Sequence, residues 1–482
     1  MKKALFLLFI IYCCSVSNRS FATHLMGGDI TVYNDSDTTY TLTLQLYRDV
    51  LGIPLGVNAQ VDVFMYDATS NSYLPNTSYQ ITENTALSTS LLPYFPYGVE
   101  VGIFTQDITL SPGKYMFVYN TSARNNAILN ATSPGGESLV LYTYLEVFGT
   151  AANSSPSCLT MPIAYFALNS AGYYNPAPYD ADGDSLTWAL DSSIGNPGSG
   201  YPTSVQFTPV VGLTLPPSAS TGPFSINSVT GEITWTPNTM GNFIQAFNID
   251  EYRAGVKIGT IHRDMQYVVV TDSTADSIAM IPNSACMYNP QFNYNYQYYT
   301  PGQAFSVQIN GLASNTGATL TMNAFGSIFM GSNPATFTTS GTGNNITGTL
   351  HWTPPANLSK DVIVVFRLST DKFMRDYTLL LRKNPAVQPS NVAGIQQNAN
   401  TVQVFPNPVQ HNMQVALSLS NDINSDISLY SVIGQKVASV YSGKMQKGTY
   451  KLEQEINVAP GTYFLVVKDN GKLINTQQVI VE

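Results

Sequence analysis

The sequence predicts an all-β protein built from tandem antiparallel β-sandwich domains. Its 482 residues include 30 Tyr and 22 Phe, and aromatic and β-branched side chains suit the pleated, half-buried surface of a strand. The 35 Gly and 28 Pro, with many Asn and Ser, supply the turns. Short segments alternate apolar and polar residues, as in TYTLTLQLY at residues 39–47, which is the period of a strand with one buried face. With 44% hydrophobic residues, the chain can bury several cores.

The first 22 residues have the pattern of a signal peptide. Lys2 and Lys3 precede an apolar stretch at residues 4–14, and Ser-Phe-Ala at residues 20–22 is a small-x-small cleavage site. The stretch is about half of the ~20 residues that a membrane-spanning helix needs, so we expect cleavage after Ala22 rather than anchoring. No later segment is long and apolar enough to span a bilayer, so we expect no transmembrane segment in the mature chain.

The charge of the mature chain argues against nucleic-acid binding. Cleavage removes Lys2, Lys3 and Arg19 and no acidic residue, which leaves 18 of the 21 basic residues against 30 acidic residues, a formal charge of −12. An acidic chain without a basic cluster is poorly suited to the phosphate backbone. We therefore expect no nucleic acid among its partners.

Turn-rich segments divide the mature chain into domains. A small, polar stretch around Pro156 marks the first boundary, and an Asn-, Gln- and Pro-rich segment without an apolar face reads as a linker. The predicted parts are, in order, an N-terminal β domain (23–150), a β-sandwich (151–272), a second β-sandwich (273–384), the linker (385–401) and a last compact β unit (402–482).

An internal repeat supports the two middle sandwiches. TGEITWTP at residues 230–237 is matched by TGTLHWTP at residues 347–354, and an Arg-Asp pair lies downstream of each. The pairs begin 28 and 23 residues after the tryptophan, so the copies differ mainly in loop length. Two sandwiches of ~110 residues account for this, with the tryptophan in each core and Thr-Pro ending its strand.

Two cysteines, Cys158 and Cys286, remain after signal cleavage. An exported protein permits a disulfide between them, which would close a loop of about 128 residues and contribute roughly 4–5 kcal/mol in the chain-entropy model. The alternative is two buried thiols.

The last unit resembles the type A sorting domain of type IX secretion substrates. Three motifs carry the resemblance: VFPNP at 404–408 with Phe405, Pro406, Asn407 and Pro408; LYSVIGQKV at 429–437 with Gly434; and APGTYFLVV at 459–467 with Gly461 and Tyr463. The resemblance implies export by the signal peptide, transfer across the outer membrane by the type IX machinery, and a final location at the cell surface or outside the cell. In that family the tag is usually removed from its cargo.

The residues before the linker resemble gliding-motility-associated surface adhesins. The resemblance rests on THLMGGDI at residues 23–30 and LYRD at residues 46–49, and DADGDSL at residues 180–186 is similar to immunoglobulin-like (Ig-like) and cadherin-like modules of those proteins. It implies Ig-like sandwiches and a role in adhesion.

Asp180, Asp182 and Asp184 form the strongest candidate site. Alternating acids around Gly183 can direct several oxygens at one Ca²⁺, which takes 6–8 oxygen ligands. The alternative is a polar turn, because Asp and Gly tolerate left-handed backbone geometry. Asp250 and Glu251, near Arg253, either add further oxygens or form a surface ion pair.

An aromatic segment offers a second candidate. Aromatic residues recur with a period near two from Phe292 to Tyr298, with Tyr288 and Tyr299 beside them, in an Asn- and Gln-rich context. Such a face could stack on sugars, but we favour an ordinary buried sheet face, because aromatic side chains dominate cores.

No catalytic motif emerges from the sequence. The four histidines fall in four different units, and there is no His-Glu-x-x-His, Gly-x-Ser-x-Gly, Walker or dinucleotide-binding pattern. We therefore expect a non-enzymatic surface adhesin or binding protein with the type IX machinery and a surface carbohydrate or protein as partners. The alternatives are a structural surface-layer component without a specific ligand and a secreted hydrolase.

Overall fold

The computed structural model describes residues 25–91, 98–161, 165–220, 222–271, 278–282, 286–331, 333–371, 373–384, 401–431 and 435–481. The chain divides into two compact units, Met1–Asn384 and Pro385–Glu482. The predicted signal peptide (1–22), all of the predicted linker except Thr401, and Gly434 lie outside the described residues. The described residues contain strands, two short 3₁₀ helices and no α-helix, so the all-β prediction is confirmed.

The first eight strands lie in the segment predicted as the N-terminal domain. They are β1 (Leu25–Ser36), β2 (Thr39–Asp49), β3 (Asn58–Asp67), β4 (Ser72–Glu83), β5 (Thr89–Leu91), β6 (Val99–Thr109), β7 (Gly113–Ser122) and β8 (Ser138–Val147), with a 3₁₀ helix at Pro134–Gly136. Alternation along β2 buries Tyr40, Leu42, Leu44 and Leu46 in one core, as the sequence pattern predicts.

The next strands are shorter, apart from one long hairpin. They are β9 (Ser157–Cys158), β10 (Tyr165–Ala167), β11 (Gly172–Tyr174), β12 (Pro178–Tyr179), β13 (Ser185–Asp191), β14 (Ile194–Asn196), β15 (Thr208–Pro209), β16 (Ser225–Ile226), β17 (Ile233–Trp235), β18 (Gly241–Arg253) and β19 (Val256–Val270).

A closed ring of hydrogen-bonded strands crosses the predicted boundary at residue 150. The ring runs β19-β1-β2-β6-β4-β3-β7-β8 and returns to β19, through the pairs Gly27↔Met265 and Gly259↔Leu145. The predicted segments 23–150 and 151–272 therefore share one sheet. Alternation along a strand predicts which face is buried, but it does not identify the strand that pairs with it.

Gly27 is required where β1 meets β19. Its φ is +138°, and a Cβ added there would overlap the backbone carbonyl oxygen of Asp264. Only glycine allows this close approach of two backbones.

The third part of the first unit is a two-sheet sandwich. Its strands are β20 (Ile278–Pro282), β21 (Met287–Asn289), β22 (Tyr294–Tyr299), β23 (Phe305–Ala313), β24 (Thr321–Phe325), β25 (Thr336–Thr342), β26 (Asn345–Trp352), β27 (Val362–Ser369) and β28 (Met374–Lys383), with a 3₁₀ helix at Ser327–Phe329. Sheets β20-β23-β26-β25 and β21-β22-β28-β27-β24 enclose a shared apolar cluster.

Both repeat tryptophans are buried, as predicted. Trp235 ends β17 and packs edge-on against Phe224 and Phe243, while Trp352 ends β26 beside Tyr299. Thr-Pro follows each strand end, because proline cannot donate to a sheet ladder.

The second unit is a separate small sandwich. Its strands are β29 (Thr401–Phe405), β30 (Asn412–Leu419), β31 (Ile423–Ser431), β32 (Lys436–Met445), β33 (Gly448–Glu455), β34 (Gly461–Asp469) and β35 (Lys472–Val481). Sheets β29-β30-β33 and β32-β31-β34-β35 enclose their own apolar core.

A buried ion pair lies at the meeting point of β19 and β1. The Arg124 Nη2 atom lies 2.6 Å from Asp264 Oδ2, and the two side chains are only 3% and 0% exposed. Arg124 also donates to the carbonyls of Ser138 and Ile194. The pair is thus desolvated, and each nitrogen of the guanidinium donates a hydrogen bond.

We expect Asp264→Asn to lower the free energy of unfolding by about 3–5 kcal/mol, because it leaves the buried Arg124 charge without its counter-ion. The matched control is Asp361→Asn, which breaks an ion pair with Arg382 whose side chains are 38% and 37% exposed. Exposed pairs contribute about 0–1 kcal/mol. Urea unfolding followed by tryptophan fluorescence measures both variants. Equal losses would show that burial of the Arg124 pair has no special effect.

Candidate functional site

The three predicted aspartates lie in the loop between β12 and β13, but they face different partners. Asp182 Oδ2 accepts a 2.5 Å hydrogen bond from the Ser154 backbone N–H. Asp184 accepts from Arg253 Nε at 2.9 and 3.1 Å, and Arg253 Nη2 lies 2.5 Å away. Asp180 Oδ1 accepts from the Asp184 backbone N–H at 2.7 Å. The loop turns at Gly183, whose φ is +87°.

Glu251, rather than Asp182, completes the acidic cluster. One carboxylate oxygen from each of Asp180, Asp184 and Glu251 lies within 4.8 Å of the others. Glu251 sits on β18 directly opposite Leu186 of β13, so sheet pairing brings it to the aspartate loop. The grouping of Asp180 with Asp184 agrees with the sequence prediction, and the inclusion of Asp182 is corrected because its carboxylate is held by Ser154.

Asp250 has a different role from its neighbour. Its carboxylate lies 2.7 Å from Lys257 Nζ and accepts a hydrogen bond from Thr260 Oγ1 at 2.9 Å. Adjacent residues of a strand point to opposite faces, so Asp250 forms the surface pair and Glu251 enters the cluster.

The cluster is buried and short of hydrogen-bond donors. Glu251 is 0% exposed and Asp180 is 8% exposed. Among the described residues, none donates a hydrogen bond to either oxygen of Glu251 or to Asp180 Oδ2. Burial, followed by the nearby Asp180 and Asp184 carboxylates, raises the pKa of Glu251 to about 9.

Arg253 ties the cluster to the segment that precedes β9. Besides Asp184, it donates to Ala152 O at 3.0 Å and to Asn153 Oδ1 at 2.8 Å. The same segment is fixed to β1, because Ser155 Oγ accepts from the Val32 N–H at 2.8 Å. The acidic loop is therefore linked to both β18 and β1.

Cys158 and Cys286 are thiols rather than a disulfide. Cys158 packs against the apolar cluster around Trp235, while Cys286 packs against the cluster of the third sandwich and donates to Gln297 Oε1 at 3.6 Å. The predicted disulfide is corrected, because the two side chains belong to different cores. Burial raises the pKa of each thiol to about 11.

The aromatic segment is divided between core and surface. Tyr294 and Tyr299 are buried, as favoured from the sequence, whereas Tyr288, Phe292 and Tyr298 are exposed. The Phe292 and Tyr294 rings stack 6.3 Å apart with an interplanar angle of 14°. The aromatic residues thus supply both a core face and an exposed group of rings.

Phe292 borders a polar cleft of about 310 Å³, which we call the aromatic cleft. Its lining comprises Ser225, Ile226, Asn227, Ser228, Val229, Glu232, Thr234, Gln291, Phe292 and Asn293. Asn227 Nδ2 donates to the carbonyls of Phe292 and Asn293 at 2.8 and 2.9 Å, which fixes the two sides of the cleft to each other. Amide side chains beside an exposed ring can bind a ligand with both polar groups and an apolar face.

The described histidines differ in burial. His351 and His411 are exposed, while His262 is buried and stacks on Tyr142 at 4.6 Å between ring centroids. His24 lies outside the described residues.

The first sorting motif, at the end of β29 in one sheet, contacts the other sheet of the second unit, which contains the second and third motifs. Asn407 bonds to β35 twice, donating to Gln478 O at 3.0 Å and accepting from the Ile480 N–H at 2.8 Å. The second and third motifs lie on neighbouring strands, where Leu429 of β31 pairs with Leu465 of β34. Tyr463 donates to Ala459 O at 2.7 Å. Phe405 ends β29, followed by Pro406 and Pro408 beside Asn407.

Residues 403–482 match the family of secretion system C-terminal sorting domains. The chain thus carries a type IX sorting domain, which implies export to the cell surface or secretion. The described residues contain no helix with the length and apolarity to cross a membrane. No protein of curated function matches the chain.

Several solved structures align over long stretches at low similarity. Dpr2 Ig1–Ig2 in complex with DIP-Theta Ig1–Ig3 aligns at 12% identity and a TM-score of 0.17, over 71% of this chain and 94% of that one. Dimeric latent PorU from Porphyromonas gingivalis aligns at 13% identity and a TM-score of 0.17, over 70% of this chain and 34% of that one. Endo-fucoidan hydrolase MfFcnA4 from glycoside hydrolase family 107 aligns at 15% identity and a TM-score of 0.15, over 65% and 39%. TM-scores this low carry no argument about function.

Glu232, at the edge of the aromatic cleft, should make the free energy of unfolding depend on pH. Burial raises its pKa to about 7, with Asp376 adding to the shift and Thr378 and Arg375 opposing it. Between about pH 4.5 and pH 7 the unfolded chain releases this proton while the folded chain retains it. The free energy of unfolding therefore falls as pH rises through this window.

We expect Glu232→Gln to remove this contribution, making the free energy of unfolding less pH-dependent between pH 4.5 and 7 by at most about 3 kcal/mol. Glu453→Gln, at an exposed position of the second unit, is the matched control. Urea unfolding at several pH values measures both. An unchanged slope in Glu232→Gln would show that its carboxyl titrates alike in the folded and unfolded chains.

Proposed function

We propose that this protein is a type IX-delivered surface adhesin, in which the first unit binds a ligand outside the cell and the second unit is the sorting signal. The observation that carries the proposal is the sorting-domain match at residues 403–482, which coincides with a separate compact unit. The rest of the first unit, residues 23–384 after cleavage of the predicted signal peptide, is then the cargo.

The composition of the cargo supports binding at an exposed surface. Charged residues make up only 11% of the chain, so much of its surface offers neutral amides, hydroxyls and aromatic rings. Such surfaces suit contact with sugars or proteins, in which rings give contact area and amides give hydrogen bonds. The resemblance of the N-terminal segments to gliding-motility-associated adhesins supports the same function.

The aromatic cleft is our candidate for the ligand site, with a carbohydrate as the ligand. Phe292 is 50% exposed at its edge, where an apolar ring can pack against the C–H face of a sugar. Gln291 and Asn293 supply amides toward hydroxyl groups, while Asn227 joins the two sides of the cleft. This combination of one ring and several amides is what a neutral glycan requires.

A truncation tests the sorting function. In a bacterium with a working type IX system, we expect the full chain to reach the surface or the medium and a chain ending at Asn384 to remain in the periplasm. The first unit has its own cores, so the truncated chain should still fold, which circular dichroism checks. Equal export of both chains would contradict the sorting role of residues 403–482.

A substitution tests the ligand site. We expect Phe292→Ala to weaken glycan binding roughly threefold to tenfold, the effect of losing one aromatic contact of about 0.5–1.5 kcal/mol. The matched control is Tyr33→Ala, which removes a ring that is 52% exposed on β1, outside the cleft. A glycan array identifies the ligand, and titration of the two variants compares their affinities. Equal affinity in both variants would exclude the cleft as the site.

A further inference from the structure

We propose that Asp180, Asp184 and Glu251 together bind one Ca²⁺ ion. This inference is independent of the proposed adhesin function, because it concerns the stability of the first unit whatever ligand that unit binds.

The geometry fits a single ion. Ligand oxygens at 2.3–2.6 Å from Ca²⁺ lie at most about 5 Å from one another. Oxygens of the three carboxylates lie within 4.8 Å of one another, so one ion can contact all of them. They come from two elements, the β12–β13 loop and strand β18, so the site forms only in the folded protein.

The cluster needs a positive charge that the surrounding side chains do not provide. Buried carboxylates are ordinarily paired or bound to a metal. Glu251 is fully buried, yet neither of its oxygens accepts a hydrogen bond from the described residues, and the same holds for Asp180 Oδ2. These oxygens belong to two of the three carboxylates that lie within 4.8 Å of one another.

Arg253 does not supply enough positive charge to balance the three carboxylates. Its Nε and Nη2 atoms donate to Asp184, and Nη1 and Nη2 donate to Ala152 and Asn153. When ionised, the three carboxylates and this one guanidinium have a net charge of −2. A divalent cation balances that charge.

The chemistry of the ligands selects Ca²⁺. All are carboxylate oxygens, which hard cations prefer, whereas zinc sites draw on Cys and His. Ca²⁺ accepts irregular arrangements of carboxylate oxygens at 2.3–2.6 Å, whereas Mg²⁺ demands near-octahedral geometry at 2.0–2.1 Å. Extracellular modules bind Ca²⁺ with dissociation constants of about 10⁻⁴–10⁻³ M, which matches the medium outside a cell.

The loop is held from three other sides, which prepares it for the ion. Ser154 holds Asp182, Arg253 holds Asp184, and Lys360 Nζ donates to the Gly183 carbonyl at 3.2 Å. Fewer degrees of freedom remain to be lost when the ion binds.

Glu251→Gln is the test, because it keeps the size of the side chain and removes one charged ligand. The full mature chain is dialysed against ⁴⁵Ca²⁺ at 1 mM, and its melting temperature is compared in EDTA and in 10 mM Ca²⁺. We expect the parent to bind one more ion than Glu251→Gln. We expect Ca²⁺ to raise the parent melting temperature by about 3 °C or more, and the variant not to respond in this way.

Asp182→Asn is the matched control, because it changes an acid of the same loop that lies outside the cluster. It should retain the bound ion and the melting response. If Glu251→Gln loses its β-sheet circular dichroism, Asp180→Asn replaces it with the same expectations. Equal ion counts and equal responses in the parent and the Glu251 or Asp180 variant would overturn the proposal. So would loss of the response in Asp182→Asn alone, or an equal response to 10 mM Mg²⁺.

Discussion

Strand β19 hydrogen-bonds with four other strands, and the arrangement of the first two-thirds of the cargo depends on it. One edge pairs with β18 along its whole length. The other edge pairs in turn with β8, β1 and β10. Such a strand has no exposed edge and must be apolar or fully paired, and residues 258–269 are all buried. The ring of strands closes only because β19 pairs with both β8 and β1 along the same edge.

The change of partner along β19 explains its two buried charged residues. Pairing with β8 ends at His262, pairing with β1 begins at Asp264, and Arg263 lies between them. Arg263 donates to the Tyr47 hydroxyl at 2.8 Å and lies 3.4 Å from Asp29, while Asp264 pairs with Arg124. Polar side chains thus fill the place where two strand ends meet. Burying charges is costly, so these contacts specify how the strands meet more than they add to stability.

The sequence predicted features that depend on nearby residues. Alternation identified strands such as β2, and the repeated segments ending in Trp-Thr-Pro placed two tryptophans in cores. Three local motifs identified the sorting domain. The sequence did not predict which strands pair when they lie far apart along the chain. Gly27 meets Met265 across more than half of the cargo, and a period of two tells which face is buried without telling which strand lies alongside. The predicted disulfide was wrong for the same reason, because the spacing of the two cysteines in the sequence does not reveal that they belong to different cores.

Glu232 and Glu251 show why burial alone does not define a metal site. Burial is the first cause of a raised pKa in both. Glu232, however, accepts a hydrogen bond from the Thr378 N–H at 3.3 Å and has Arg375 nearby, and both contacts oppose the rise in its pKa. Glu251 has two carboxylates beside it and no donor among the described residues. An acid with donors and a nearby guanidinium is partly compensated within the fold, whereas an acid buried among other acids is neutralised by a proton or by a bound cation. The sequence spacing of Asp180, Asp182 and Asp184 indicated the region of this site, but only the pairing of β13 with β18 supplies its third ligand.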